Sequence, residues 1–350
     1  MTGEELSKSV KSGDIICNEE YTDLDCANSD ISGGIFNDVT FINCDFSGAN
    51  LKETTFNTCI FKNARFDGAD LTKALFYSGE CVAASFNTVK IALTKFVETD
   101  MKEAVFSHAN LNTGVFSESN LSRVRFTAST FLNTVFYECA VQRVAFIKST
   151  LEKVIFFESQ FDENLFTDST IQLCFFHKAL LSRVDFSNMD LSQCQFSECD
   201  LSQCDFTGAQ LKQGGFMQAN LEKARFDNAS LAMANFYEAN LNGVSMRNAD
   251  LKQASMQKAK LSGSNLSSAN LDTAQLAEID AQQSDFSGSN LVYADLSYAM
   301  LQEANFTDAQ LLQANLHEVQ TKKTKWNGST KRLAKGTDKK RLKAEQWGKK

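Results

Sequence analysis

The side chains of this 350-residue chain that could do chemistry are three histidines, ten cysteines and 43 carboxylates. His108, His177 and His317 stand far apart in sequence. No His-x-x-x-His pair, glycine-rich phosphate loop or nucleophile elbow accompanies them. Cys194, Cys199 and Cys204 recur every five residues, which would suit a metal only if one sharp turn gathered all three thiols. The carboxylates are spread along the chain with no marked pair for general acid and base work. No catalytic residue, cofactor or metal is expected. What these residues do depends on the elements that position them.

The dominant signal is a period of five. From Ile31 to Leu316 every fifth residue is apolar, 58 positions without a slip, and 27 of the 29 Phe fall in this frame. Only Phe157 and Phe175 lie outside it. Phe occupies every tenth residue from Phe36 to Phe236, with mostly Leu between. Two residues before each large side chain stands a small one, as at Cys44, Ala49, Thr54 and Cys59; Asn164, Met189 and Ile279 are the exceptions. The other three positions are mostly polar. In an α-helix a step of five turns about 140° and scatters Phe round every side, whereas in a straight strand an odd step flips alternate Phe outward. The chain must therefore bend once per pentapeptide, and four right-angle bends close a square.

At this point the sequence resembles the pentapeptide-repeat family, whose pattern A-(D/N)-L-x-x stands in SGANL (47–51), DGADL (67–71), MQANL (217–221), YEANL (237–241) and LQANL (312–316). The resemblance covers residues 31–316. It implies an all-β fold, a right-handed quadrilateral β-helix. On that expectation the frame makes about 14–15 coils, a rod roughly 70 Å long at strand spacing. The absence of proline fits, because coil-to-coil pairing uses backbone N–H groups that Pro lacks. Phe ladders are expected on two opposite faces and Leu-rich ladders on the other two. Cys44, Cys59, Cys139, Cys174, Cys194, Cys199 and Cys204 take the small inward position, and Cys26 and Cys81 the large one, so the thiols read as core packing. Near Ile279-Asp280-Ala281 large and small residues exchange places, and the least regular coil is expected there.

An open β-helix exposes strand edges at both ends, so caps are expected. Thr2-Gly3-Glu4-Glu5 fits a capping box, with Leu6 and Val10 on one face and Gly13 as a stop, which predicts a short helical cap within residues 1–15. The β-helix is then assigned to 16–326, with Trp326 closing the stack, and a basic tail to 327–350. Charge divides the same way. Residues 321–350 hold 12 Lys and Arg against Asp338 and Glu345, and the preceding 320 residues net −18. Residues 261–320 carry eight acids and no base. Candidate docking residues in the tail are Trp326, Lys331, Arg332, Lys339, Lys340, Arg341 and Trp347, and the candidate acidic surface is Asp272, Asp285, Asp295, Glu303 and Asp308. The tail is open to three roles: binding nucleic acid or an anionic membrane, docking on an acidic partner, or folding back on coils 261–320 of its own or a second chain.

No apolar run reaches eighteen residues and the first residues are too polar for a signal-peptide core, so a bacterial cytoplasmic location is expected, with specialised secretion left open. The favoured reading is a non-enzymatic scaffold or adaptor for another macromolecule, most readily a protein. A homodimer through the terminal coils is open. The resemblance also includes gyrase-protecting members that mimic DNA and act on type II topoisomerases. A duplex of about 70 Å carries about 40 charges at one per ~1.7 Å, more than twice the net charge found here. Direct DNA binding is not expected of the rod and is left open for the tail. A third reading is an effector or adaptor of a secretion machine.

Overall fold

The computed structural model describes residues 1–162 and 166–347. The chain forms two compact units, residues 1–180 and 181–350.

The first unit opens with helix α1, Gly3–Ser12. Its N-cap Thr2 accepts from Glu5 N–H while the Glu5 carboxylate accepts from Thr2 N–H, and Gly13 ends it at φ 90°. Leu6 and Val10 are buried, and the helix lies so close to the first coil that a Cβ on Gly3 would stand 2.1 Å from the Asp25 carbonyl oxygen. The chain then winds in coils of twenty residues, each pairing in parallel with the next: Ile15 opposite Ile35, Thr40 opposite Ile60, Arg125 opposite Ala145. We name the four walls by their inward residues Phe36, Phe41, Phe46 and Leu51. Within residues 1–180 the Phe36 wall is a ladder of nine short strands, from Ile15–Cys17 and Ile35–Asn37 to Ile155–Phe157 and Phe175–His177.

The second unit keeps the twenty-residue register through isolated bridges, from Asp185 opposite Asp205 to Asn305 opposite Lys325 and Asn315 opposite Lys335. Pairing thus runs past position 326 to Lys335, so the last coil includes the start of the segment assigned to the tail. A short 3-10 turn, Lys331–Leu333, and helix α2, Lys339–Gln346, follow.

Inside each unit all the frame residues from Ile31 to Leu316 are buried. Phe rings stack rung on rung, with centroids 4.7 Å apart for Phe76 on Phe96 and for Phe206 on Phe226. Such offset pairs each add about 0.5–1.5 kcal/mol beyond burial. The coil around Ile279 is regular: Ile279 and Ala281 are both buried, and Leu261 N–H to Asp280 O and Ala281 N–H to Met300 O stay in register. Exchanging Ala-then-Leu for Ile-then-Ala keeps nearly the same inward volume, which explains why the expected irregularity is absent. Met189 is only half-buried but also keeps register; Asn164 lies outside the described residues.

Corners come in two forms. In both, one residue per pentapeptide is left-handed, for example Asp38, Glu118 and Lys223 at φ 54°, 50° and 60°. In the closed form the small residue donates back to the preceding large one, as Ala209 N–H does to Phe206 O at 3.0 Å. In the open form a hydroxyl from the next coil is inserted. Ala109 N–H donates to Ser129 Oγ at 3.1 Å, and that hydroxyl donates to Phe106 O at 2.9 Å. Ser119 joins Thr99 N–H to Phe96 O, and Ser149 joins Ser129 N–H to Phe126 O, in the same way. Hydroxyl-rich small positions belong to the first unit, where three-residue strands are frequent; Ala-rich ones belong to the second, where bridges prevail.

Candidate interaction surfaces

Two surfaces depart from a plain polar coil. The first is the outside of the Phe36 wall in residues 1–180. The residue before each inward position reads Ile15, Ile35, Thr55, Leu75, Lys95, Val115, Val135, Ile155 and Phe175, and the residue after it includes Tyr77, Val97, Tyr137 and Phe157. Ile15 is 57% and Phe175 51% exposed, and Tyr77, Tyr137, Ile35 and Ile155 are also exposed. The Tyr137 ring stacks on Phe157 at 5.1 Å and 7°, and Phe157 faces His177 at 5.2 Å. The equivalent outward column of the Phe46 wall reads Asp25, Asp45, Arg65, Ser85, Val105 and Arg125, and that of the Leu51 wall Asp30, Asn50, Asp70, Lys90, Asn110 and Thr130. The two Phe that leave the five-residue frame both belong to this apolar stripe. A reading at intervals of twenty would have found it; at intervals of five its members are scattered among polar neighbours.

The second surface is the C-terminal end. Trp326 stacks on Phe306 at 4.6 Å, and Lys331 Nζ lies 4.2 Å from the indole centroid. Asp338 caps α2, accepting from Lys340 N–H and Arg341 N–H. The helix is held down by His317, which is 1% exposed. His317 Nδ1 accepts from Asp338 N–H at 3.0 Å, which leaves the ring proton on Nε2, 3.3 Å from Glu345 Oε2. Glu345 also accepts from the Tyr298 hydroxyl and from Arg341 Nε at 2.7 Å. These two donors, Tyr298 first, lower the Glu345 carboxyl to about 2. Trp347 is 83% exposed, so it does not cover the terminal coil. Arg332, Lys339 and Lys340 are exposed.

One of the three roles open to the tail is folding back on the acidic coils 261–320 through its bases. Among the described residues one such ion pair exists, Lys323 to Glu303 at 3.0 Å, and the helix itself is latched through an acid, Glu345. The candidate acids are engaged along the ladder instead. Asp285 accepts from Asn305 and Asp295 from Asn315 side-chain amides, at 2.9 and 2.8 Å, and Asp272 pairs with Lys252 at 3.0 Å. Asp308 stands under Gly328, where a Cβ would come 1.9 Å from its Oδ1.

The thiols are core. Nine of the ten cysteines are buried, Cys17 alone being exposed. Burial pushes Cys26, Cys139 and Cys204 up to about 12 and Cys59 to about 11, so these are thiols rather than thiolates at neutral pH. Several donate weakly to the carbonyl one coil back, as Cys204 does to Leu181 O at 3.0 Å. Among the described residues no three His, Cys, Asp or Glu side chains gather to hold a metal, and no helix is long and apolar enough to cross a membrane.

A twenty-residue coil of four pentapeptides, with inward Phe and Leu ladders, defines a pentapeptide β-solenoid. The family described as "Pentapeptide repeat region" matches residues 179–266, and "Pentapeptide repeats (8 copies)" matches 22–57, 41–76, 269–308 and 289–320. The chain belongs to the pentapeptide-repeat proteins. Among solved structures it is similar to HetL, a pentapeptide repeat protein involved in heterocyst differentiation regulation from the cyanobacterium Nostoc, at 20% identity over 64% of this chain and 89% of that one (TM-score 0.35). Full-length QnrB1, a plasmid-mediated fluoroquinolone resistance protein, is 20% identical over 61% and 93% (TM-score 0.31). A pentapeptide repeat protein of the Arabidopsis thaliana thylakoid lumen is 27% identical over 33% and 66% (TM-score 0.21). No curated protein matches the sequence.

Proposed function

We propose that this chain is a non-enzymatic scaffold that binds another protein through one wall of its solenoid. The observation that carries this is the apolar Phe36 wall. Ile15, Ile35, Tyr77, Tyr137, Ile155 and Phe175 are all exposed on this one wall, and a row of large apolar side chains left in water marks an interaction site. Ile, Val, Tyr and Phe there do nothing for the core, which lies on the other side of the strands. A second contact region is the exposed basic surface of α2 with Trp347.

DNA mimicry asks for anionic walls, whereas the outward columns of this wall within residues 1–180 are apolar or neutral apart from Lys95, and its run of acids, Glu98, Glu118, Glu138 and Glu158, lies along one border. Supercoiling by purified gyrase is therefore expected to be unchanged by the protein, with or without a quinolone. The direct test places a photo-cross-linking phenylalanine analogue at position 157 or at position 150, on the Leu51 wall, in cells that make the protein. A defined protein adduct from 157 and none from 150 is expected. Equal adducts from both positions, or none from either, would reject the wall as the binding surface.

A further inference from the structure

What docks on the Phe36 wall is constrained by the corner that borders it. In successive coils the left-handed residue following this wall is Ser78, Glu98, Glu118, Glu138, Glu158 and Lys178. Four glutamates therefore stand in one column at intervals of about 4.8 Å. Glu158 pairs with Lys178 at 3.3 Å, Glu98 accepts the Ser78 hydroxyl at 2.6 Å and Glu138 meets the Tyr137 hydroxyl; among the described residues Glu118 and Glu138 have no basic partner. Stacked like charges repel, so this column is a cost to the free protein that a cation would relieve. The corner at the other border of the wall carries one acid, Glu53, paired with Lys73 at 2.8 Å, and then Leu93, Thr113, Asn133, Lys153 and Leu173.

Dimensions select the element that fits. Each strand of the wall is three residues, about 10 Å across, the diameter of one α-helix. A helix laid along the wall advances about 5.4 Å per turn against about 4.8 Å per coil, so over the four glutamates the two scales part by about 2 Å, within reach of a lysine side chain. An extended strand laid the same way repeats its side chains about every 6.7 Å and parts by about 6 Å.

Resting on the docking role above, we propose that the Phe36 wall of residues 1–180 receives an amphipathic α-helix of a partner protein, apolar against Val135, Ile155 and Phe175 and basic along the edge that faces Glu118 and Glu138. The probe is a labelled synthetic helix of roughly twenty residues, about 30 Å long, with leucines on one face and lysines along one flank, compared with the same peptide carrying glutamates on that flank. Each is titrated into the full-length protein by fluorescence anisotropy. The lysine peptide is expected to bind at least about tenfold more tightly at low salt, with the ratio shrinking once the Debye length falls to about 8 Å. The double variant Glu118→Lys with Glu138→Lys is expected to reverse the preference; Lys178 at the equivalent corner shows that the backbone accepts lysine there.

Equal binding of the two peptides, or a preference unchanged by the reversal, overturns the basic-helix assignment while the cross-linking result still decides the docking role. Peptide binding that survives Val135→Thr with Ile155→Thr, residues matched by Thr55 in the same column, places the peptide elsewhere and overturns it too. A dimer mass in light scattering that those threonines abolish would assign the wall to a second copy of this chain and likewise overturn the proposal.

Discussion

Phe146 and Phe157 are chemically identical and structurally opposite. Phe146 is buried, stacked between Phe126 and Phe166 at 5.2 and 5.3 Å, whereas Phe157 lies outward on Tyr137. Truncating a buried Phe costs about 3–5 kcal/mol, and a buried unpaired carboxylate adds to it. Phe146→Asp is thus expected to unfold or severely destabilise the protein, and Phe157→Asp to leave the melting temperature within a few degrees; equal losses in a thermal melt would contradict the inward frame. Leu93 offers the converse case. It sits at φ 57°, 56% exposed, a conformation that costs an ordinary L-residue about 1–2 kcal/mol and glycine almost nothing. After glycine's greater freedom in the unfolded chain is subtracted, Leu93→Gly should be neutral to stabilising by up to about 1 kcal/mol in urea unfolding. A clear destabilisation would mean that Leu93 is held by packing.

At the scale of elements, open corners and the terminal helix can be tested separately. Ser129→Ala removes the hydroxyl that joins Ala109 N–H to Phe106 O, so it should cost about 1–3 kcal/mol, unless the corner closes into the Ala209 form and recovers the bond directly. The unfolding midpoint measures which occurs. For α2 the sign of the pH effect follows from Glu345. Its folded value, about 2, lies below the ordinary glutamate value near 4.3, so its contribution to docking is present above that value and lost as pH falls toward 2. Amide resonances of residues 339–346 should shift toward coil positions between about pH 4.5 and 2, and His317→Ala should release them at neutral pH; a helix unmoved by both would show that the latch is not what holds it. The five-residue frame told which side chains point inward because each pentapeptide repeats the same bend. No such rule places α2: His317, Tyr298, Arg341 and Glu345 meet through a segment that has left the repeat, and nothing in their spacing announces it. The outward stripe was legible in principle, since Val115, Val135, Ile155 and Phe175 stand twenty apart, but only to a reading that first fixes the coil length.

At the scale of the whole molecule, the position of the last paired residue decides how the C-terminus can be cut. Lys335 and Leu333 still bond to Leu316, Gln313 and Ala314, and Thr330 to Ala309 and Leu311. Removing residues 337–350 takes away α2 and leaves that coil paired. Removing 327–350 strips the terminal rung and bares N–H groups on an edge. Light scattering should show an unchanged mass for the shorter deletion and concentration-dependent association for the longer one; identical behaviour of the two would mean that residues 327–336 do not protect the edge.

The twenty-residue register also sets the currency in which the gene can change length. Loss or duplication of sixty nucleotides within one unit removes or adds a whole coil and returns every side chain to its own column, so Glu remains over Glu and Val over Val. Loss of fifteen nucleotides leaves the inward frame intact yet turns everything downstream by a quarter of a coil, so that the apolar column of the Phe36 wall would resume on a neighbouring wall. Both changes preserve the repeat as a pattern. Selection on a docking stripe therefore admits length variants by coils and rejects them by single pentapeptides, although the core alone would tolerate either.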